Sequence, residues 1–399
     1  MTFLLELALA ILFGLIIGLL TGLLPGIHPN TVAISLLALS PFLLELTSPL
    51  ILAIFIVVTA TSNTITDALP SIYFGAPDND GNAMQVLPGH KFLLQGKGHE
   101  ALLLTVIGSL FGLFLSILLL PLFIIFLENV FPVTQKFLAP LLIFASLILI
   151  LREKSKLLAL IIFLLAGVLG LVSSNLNITD YLFPLFSGLF GLPNQLMSLK
   201  TKTKLPAQKI TSPTINKTSF KAISASFFSG SLVSILPGLG NGQAVILGST
   251  LVKDIDSKNF LIMIGGINTV NFVISFASLY AIDRARNGAI VAVSKIIESI
   301  DLNTLLIFIA VALISGCLSA LITINTSKVI SKFITKLNYS YVNIIIMVFI
   351  IVLVTLITGP LGLSLLIVST FIGLLPVLTN ISRSHLMGSL IIPVILFFL

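Results

Sequence analysis

The stretches 102–127, 157–172, 305–324 and 344–357 are almost uninterrupted Leu, Ile, Val, Phe, Ala and Gly, and they leave little choice of solvent. Around 20 such residues, less where neighbouring runs pair, match a hydrocarbon core about 30 Å thick. In lipid each backbone N–H and C=O must find a partner inside the protein. The alternation of polar and apolar residues that a barrel strand needs is missing, so the spans are predicted to be helices. Hydrophobic residues make up 57% of the chain and charged residues 9%, with a mean hydropathy of +1.18, too few polar groups to coat a water-facing surface. The fold class expected is an all-α polytopic membrane protein of about ten to twelve membrane segments, some of them short, in a cell membrane. The segment from Phe3 to Leu24 has no basic residue before it and no polar cleavage region after it, and is read as a retained first helix.

The formal net charge of +7 sits mainly in the connections, which the positive-inside bias explains without nucleic acid. Between Asn194 and Lys221 the chain carries Lys200, Lys202, Lys204, Lys209, Lys217 and Lys221 and no acidic residue. This is read as a cytoplasmic linker, 194–221, between a first half, 1–193, and a second, 222–399. Arg152, Lys154 and Lys156, Lys91 and Lys97, and Lys328, Lys332 and Lys336 are expected on the same side. Tyr181 to Leu192 is short and rich in Gly and Pro, and reads as a re-entrant or amphipathic piece. Cys317, alone in an apolar run, reads as a small packing residue.

The chain also resembles itself. LLPGIHPNTVAI from Leu23 returns as ILPGLGNGQAVI from Ile235, aligning Pro25 with Pro237 and Gly26 with Gly238, and Asn63-Thr64 returns in the same order as Asn268-Thr269. Two broken hydrophobic segments at matching positions of two halves point to a secondary transporter's binding site at the membrane midplane. Pro removes an N–H and Gly accepts unusual backbone angles, so each break frees backbone donors and acceptors that must be satisfied within the protein. Half-helix N-termini suit a carboxylate, while freed carbonyls and Asn, Ser and Thr oxygens suit Na⁺. The ligand-facing residues expected are Pro25, Gly26, His28 and Asn30 at the first break, Pro237, Gly238, Gly240 and Asn241 at the second, with Asn63, Thr64, Asn268 and Asn271. The repeats are expected to be inverted, with Asn63 and Asn268 as a pseudo-symmetric pair.

A second polar stretch, TATSNTITDALPSIYFGAPDNDGNAMQVLPGHKF from Thr59, begins inside apolar sequence. Asp67 is an ionisable group at membrane depth, where burial in lipid costs at least about 2.5 kcal/mol, and it is a candidate for cation or proton coupling, as is Asp78. The position matching Asp67 in the second half is Phe272, and an asymmetric carboxylate suits an ion site better than a repeated substrate contact. Asn79, Asp80 and Asn82 line the same pathway or occupy a wet loop, with a loop favoured for Asp80. His90, His99 and His385 read as loop or interfacial residues, whereas His28 lies within the break and is a candidate for proton coupling. Arg284 and Arg286 offer either a fork for a carboxylate or a positive-inside anchor, the anchor being favoured.

Two other classes compete. An intramembrane enzyme would need a catalytic set, but Asn241 stands where an aspartyl protease's G-x-G-D loop requires its acid, and neither H-E-x-x-H, G-x-S-x-G nor Walker A sequence occurs. A channel would call for a charged ring or filter-like sequence. Transport therefore leads, with no enzymatic activity and no cofactor beyond a coupling Na⁺ or H⁺.

GLLPGIHP at Gly22, FGAPDNDGNAMQVLPGHKFLLQGKGHEAL from Phe74, SILPGLGNGQAV from Ser234 and GGINTVN from Gly265 together resemble, in order, the motifs of the large membrane subunit of tripartite tricarboxylate transporters. The resemblance spans roughly residues 14 to 295. It departs where His28 stands for a Gly, at Leu87-Pro88-Gly89-His90, and at Ala281-Ile282-Asp283-Arg284. It implies a permease for a small organic anion, a di- or tricarboxylate, working by alternating access with Na⁺ or H⁺. A small membrane subunit, an extracytoplasmic binding protein and a homo-oligomer are the partners it suggests, beside the lipid bilayer.

Overall fold

The computed structural model describes the chain apart from residues 1, 25–28, 78, 135–137, 152, 177, 179–180, 201–204, 236–239, 253–254, 286, 298, 335–338 and 399. The described residues form helices joined by turns and an extended linker at 205–216, with no strand among them. The first half holds α1 (Thr2–Leu23), α2 (Pro29–Ala38), α3 (Ser40–Leu43), α4 (Pro49–Thr66), α5 (Ala68–Phe74), α6 (Asp80–Leu94) and α7 (Gly98–Thr134). Next come α8 (Leu138–Leu151), α9 (Lys156–Asn175), α10 (Leu182–Phe186), a π-helical turn (Ser187–Gly191) and α11 (Leu192–Lys200). Beyond the linker lie α12 (Lys217–Ile235), α13 (Asn241–Leu251), α14 (Ser257–Ile282), α15 (Gly288–Ile296) and α16 (Leu302–Ile334). The chain closes with α17 (Tyr339–Thr379), a 3-10 turn (Arg383–Met387) and α18 (Gly388–Phe398). Among the described residues seven helices are long and apolar enough to cross a membrane, and 142–151 and 383–398 are shorter apolar helices. The difference from ten to twelve segments comes from pieces too short to cross alone. One is the Tyr181–Leu192 stretch, which folds as a broken, largely buried helix. α17 bends at Gly359, whose φ of +68° a Cβ would disfavour.

Small residues set the packing of the central helices. Gly14, Gly18 and Gly22 of α1 meet Val58, Ser62 and Thr66 of α4 in step, so these two helices run parallel. Gly108 and Gly112 of α7 lie against the backbone at Ile262 and Gly266 of α14, and a Cβ at Gly112 would stand 2.8 Å from the Gly266 oxygen. Without a hydrophobic drive between helices in lipid, such close backbone approach supplies the contact energy. α12 follows α14 in the same sense through Gly266 on Ser226 and Gly230 on Val270. α16 follows α4 through Thr323 on Thr66 (3.0 Å) and Gly316 on Ile65 and Thr61.

Two sets of three parallel helices result, α1, α4 and α16 in one and α12, α14 and α7 in the other. They run in opposite directions. The N-termini of α7 and α14 meet at Glu100, which pairs with Lys258 (3.0 Å) and Lys97 (3.8 Å) and accepts from Thr211 of the linker (3.1 Å). The linker is held there again by Gln208, which donates to Leu93 O and accepts from Gly98 N–H, each at 3.0 Å. At the same face α4 continues into α5, where Tyr73 bonds Ser327 and Ser331 of α16 (each 2.7 Å), beside Lys328 and Lys332. Lys97, Lys209, Lys258, Lys328 and Lys332 thus share one face of the molecule.

The placing of Arg284 changes on this frame, and the loop alternative falls away for three histidines. α14, with 26 residues, is about 39 Å long. It therefore carries the exposed Arg284 to the face opposite the linker, and the two do not anchor the same side. Arg286 lies outside the described residues. His99 is buried with Nδ1 2.9 Å from Ser327 Oγ, and His385 is buried in the 3-10 turn, so neither is a loop residue. His90 stands on α6, not in a loop.

Candidate functional site

α6 begins where Asn79 Oδ1 caps the Asn82 N–H (2.7 Å), an arrangement that satisfies one of the free amides of a first turn. The other end of the Asn79 side chain donates to Asp67 Oδ2 (3.1 Å). Asp67 itself sits between α4 and α5 and is 2% exposed. Asn82 Oδ1 then accepts from Asn268 Nδ2 (3.2 Å) in the middle of α14. Asn268 Oδ1 accepts from Asn241 Nδ2 (2.8 Å) at the start of α13, and Asn241 Oδ1 accepts from Asn271 Nδ2 (2.6 Å). One hydrogen-bonded path therefore leads from a buried carboxylate in the first half to three asparagines in the second. Asp80, expected in a loop, is the first residue of α6, and its Oδ2 accepts from the Gly242 N–H (2.8 Å) of α13. A carboxylate at that helix N-terminus is the favourable sign of charge for the dipole. Gly81 must be small because a Cβ there would come 2.7 Å from Asn268 Oδ1.

Two glutamines extend the cluster. Gln243 Oε1 accepts from the Gly240 N–H (2.9 Å), but its Nε2 has no partner. Gln85, one turn beyond Asn82 on α6 and fully buried, has no partner for either side-chain atom. An unsatisfied buried amide costs about 1–3 kcal/mol, so this region carries polar capacity that the protein itself does not use.

Of the residues expected at the site, Asn241, Asn268 and Asn271 come together, and Gly240 adjoins them. Asn63 is fully buried but donates to Thr21 Oγ1 of α1 (2.9 Å), and Thr64 donates to its own helix at Ala60 O (2.8 Å). Pro25, Gly26, His28, Pro237, Gly238 and Asp78 lie outside the described residues, as does the side chain of Asn30. Sequence reading left Asn82 undecided between pathway and loop and passed over Gln85 and Gln243. A polar residue just after an Asn-Asp pair looks like a loop until the helix it starts is seen to be buried.

A cavity of about 640 Å³ opens beside this cluster. Its lining begins at Ala83 and Met84, directly after Asn82, and continues along α6 to His90, Lys91 and Gln95. Lys91, Gln95, Asp256 and Ser382 are exposed at its rim, next to the turn that holds the linker, whereas Phe190 and Arg383 are buried. Burial, and then the charge of Arg383, lower the His90 pKa to about 4, so its imidazole is neutral at physiological pH. Met387, at the other end of the 3-10 turn that carries Arg383, packs against Gly242, which ties the cavity wall to the asparagine cluster.

Comparisons with known proteins agree with a transporter's architecture. The family model described as the tripartite tricarboxylate transporter TctA family matches residues 8–388. The uncharacterized protein MJ1079 of Methanocaldococcus jannaschii is 33% identical over 392 residues, covering 93% of this chain and 94% of that protein. No solved structure matches. The chain is a multi-pass membrane protein that belongs to the tripartite tricarboxylate transporter TctA family.

Proposed function

We propose that the protein is a secondary active permease for a small organic anion, a di- or tricarboxylate, and that the Asn82–Asn268–Asn241–Asn271 cluster is where the substrate binds. The observation that carries this reading is the buried polar path joining the two halves, with the unpartnered Gln85 amide beside it. Amide groups can donate to a carboxylate without the cost of burying a second charge. Asp67, linked to the cluster through Asn79 and without a counterpart in the second half, is the coupling group for Na⁺ or H⁺. The opposed directions of α1, α4 and α16 against α12, α14 and α7 favour inverted repeats. In such a fold, alternating access is a rocking of one set against the other about the site.

Placing the lysine-bearing face in the cytoplasm of a cell membrane follows the positive-inside bias. The cavity then opens inward. The family's tripartite name implies accessory subunits, and a small membrane subunit and an extracytoplasmic binding protein are the partners to seek. The experiment is uptake of labelled succinate, malate and citrate into proteoliposomes holding the purified protein, with Na⁺ and pH gradients imposed separately. Accumulation of one of them against its gradient, driven by one of the two ions, is expected. Equilibration without accumulation under either gradient would indicate a channel and overturn the coupled mechanism.

A further inference from the structure

The cavity beside the asparagine cluster contains a cation with spare hydrogen-bonding capacity. Arg383 is 8% exposed, and its Nη2 donates to Asn194 Oδ1 (3.0 Å) while Nη1 has no partner. Among the described residues no carboxylate forms an ion pair with it, although Asp256 lies on the same cavity's rim. A buried guanidinium without a counter-anion is costly, and structures retain one where an anion completes it. Asn194 holds the Nη2 side of the guanidinium, while the buried Nη1 keeps donors that the protein does not use. Lys91, also lining the cavity, adds a second positive charge near the rim. His90 is the remaining titratable group facing the space, and it is a neutral donor or acceptor there.

The geometry points to a second anion site, in which Arg383 with Asn194 and Lys91 binds one carboxylate of a soluble di- or tricarboxylate in the cavity, as a station between the linker face and the asparagine cluster. The choice of carboxylate rests on the transport reading above. The station itself rests on the buried, half-satisfied guanidinium, the cavity volume, and the continuity of its wall with Asn82 through Ala83 and with Gly242 through Met387. A fork held by one amide presents two parallel N–H groups, which a carboxylate accepts in bidentate fashion and a chloride ion does not.

The chain contains no tryptophan, so a single reporter can be placed in the cavity. Leu87 lines it and is 49% exposed, which makes Leu87→Trp a mild change. Succinate and citrate are titrated into detergent-purified Leu87→Trp protein, with potassium chloride at equal ionic strength as control. A saturable shift in emission is expected with a carboxylate and none with chloride. In Leu87→Trp/Arg383→Gln the affinity should fall at least tenfold. In Leu87→Trp/Arg383→Lys, which keeps the charge but not the fork, it should fall at least threefold, and Leu87→Trp/Asn268→Ala should still titrate. If Arg383→Gln does not elute as a single species, the Arg383→Lys arm decides alone. Equal affinity with and without the guanidinium, or a response to phosphatidylglycerol but to no soluble carboxylate, would overturn the site. Uptake by the wild-type protein is measured in parallel. Carboxylate uptake together with an indifferent Arg383 removes the station and leaves the transport reading standing. Binding at Arg383 without uptake of any carboxylate does the reverse.

Discussion

Asn63 and Asn268 each stand before a threonine in a long buried helix, and the structure bonds them differently. Asn63 on α4 bonds inward to Thr21 of α1, a helix of its own half. Asn268 on α14 reaches across to Asn82 of the first half and holds Asn241 at the same time. The bond to Thr21 therefore ties Asn63 to helix packing within its own half, while Asn268 takes part in a junction between the halves. Asn268 is bonded to two other asparagines at that junction, so the sharper functional consequences are expected at Asn268.

The greatest effect should come from separating the halves altogether. Gly108→Leu would drive a branched side chain into the α14 backbone at Ile262, and Gly112 offers no room to relax, being packed on Gly266. Loss of monodisperse protein on size-exclusion chromatography is expected. Gly359→Ala, at a bend with no neighbouring atoms within 4 Å, should leave the protein folded and cost about 1–3 kcal/mol, because its backbone angles are ones that essentially only glycine adopts. Equal yields of the two variants would remove close α7–α14 packing as the element that joins the halves.

Asn268→Ala comes next. It removes the Asn268 partner of Asn82 Oδ1 and of Asn241 Nδ2, at about 1–3 kcal/mol for each lost bond, and in an Arg383→Gln background, where the second station is absent, carboxylate binding should drop beyond detection. Asn63→Ala removes one hydrogen bond to Thr21, worth about 1 kcal/mol, and should weaken binding by less than tenfold. Thermal unfolding and isothermal titration of both variants check the order. A reversed order would assign the ligand to the first half. Asp67→Asn should leave the substrate KM within a fewfold and alter the dependence of uptake on Na⁺ or pH, which two-ion uptake curves measure. An unchanged ion dependence would move coupling away from Asp67.

How much of this was readable beforehand depends on what each residue's neighbours in sequence reveal. The runs 102–127 and 305–324 became α7 and α16 because lipid leaves a long apolar segment no other backbone solution. Asp67 was conspicuous because apolar residues flank it, and it is buried. The side-chain partner of Asn268 was not readable, since Asn82 and Asn268 are far apart in the chain and only the fold brings them within 3.2 Å. Arg383 escaped notice for a related reason. In TNISRSHLMGS a single Arg beside an apolar helix looks like an anchor at the membrane surface, and nothing local signals that Asn194 and the 3-10 turn draw it inward. Asp80 was misjudged because an acidic residue in a Gly- and Asn-rich stretch resembles a loop, although the amide it accepts from belongs to the other half.

The smallest effect concerns His90. The folded protein holds it neutral, with a pKa near 4 against the ordinary 6.5, while the unfolded chain takes up a proton at the higher value. A depressed histidine pKa therefore removes stability as pH falls from about 6.5 towards 4, and His90→Gln should flatten that part of the stability profile. Between pH 7 and 8 the variant's melting temperature should match the wild type. A loss of stability at pH 7.5 as large as at pH 5 would mean that the ring is needed for packing and not for its protonation state.

The most direct measurement is equilibrium binding of a labelled carboxylate, chosen from the uptake panel, to purified wild-type, Asn268→Ala and Asn63→Ala proteins under identical Na⁺ and pH. With Arg383→Gln present in all three proteins to remove the second station, a substrate site at the Asn82–Asn268–Asn241 junction predicts loss of binding in Asn268→Ala with binding retained, if weakened, in Asn63→Ala. Wild-type affinity in a folded Asn268→Ala protein would contradict it.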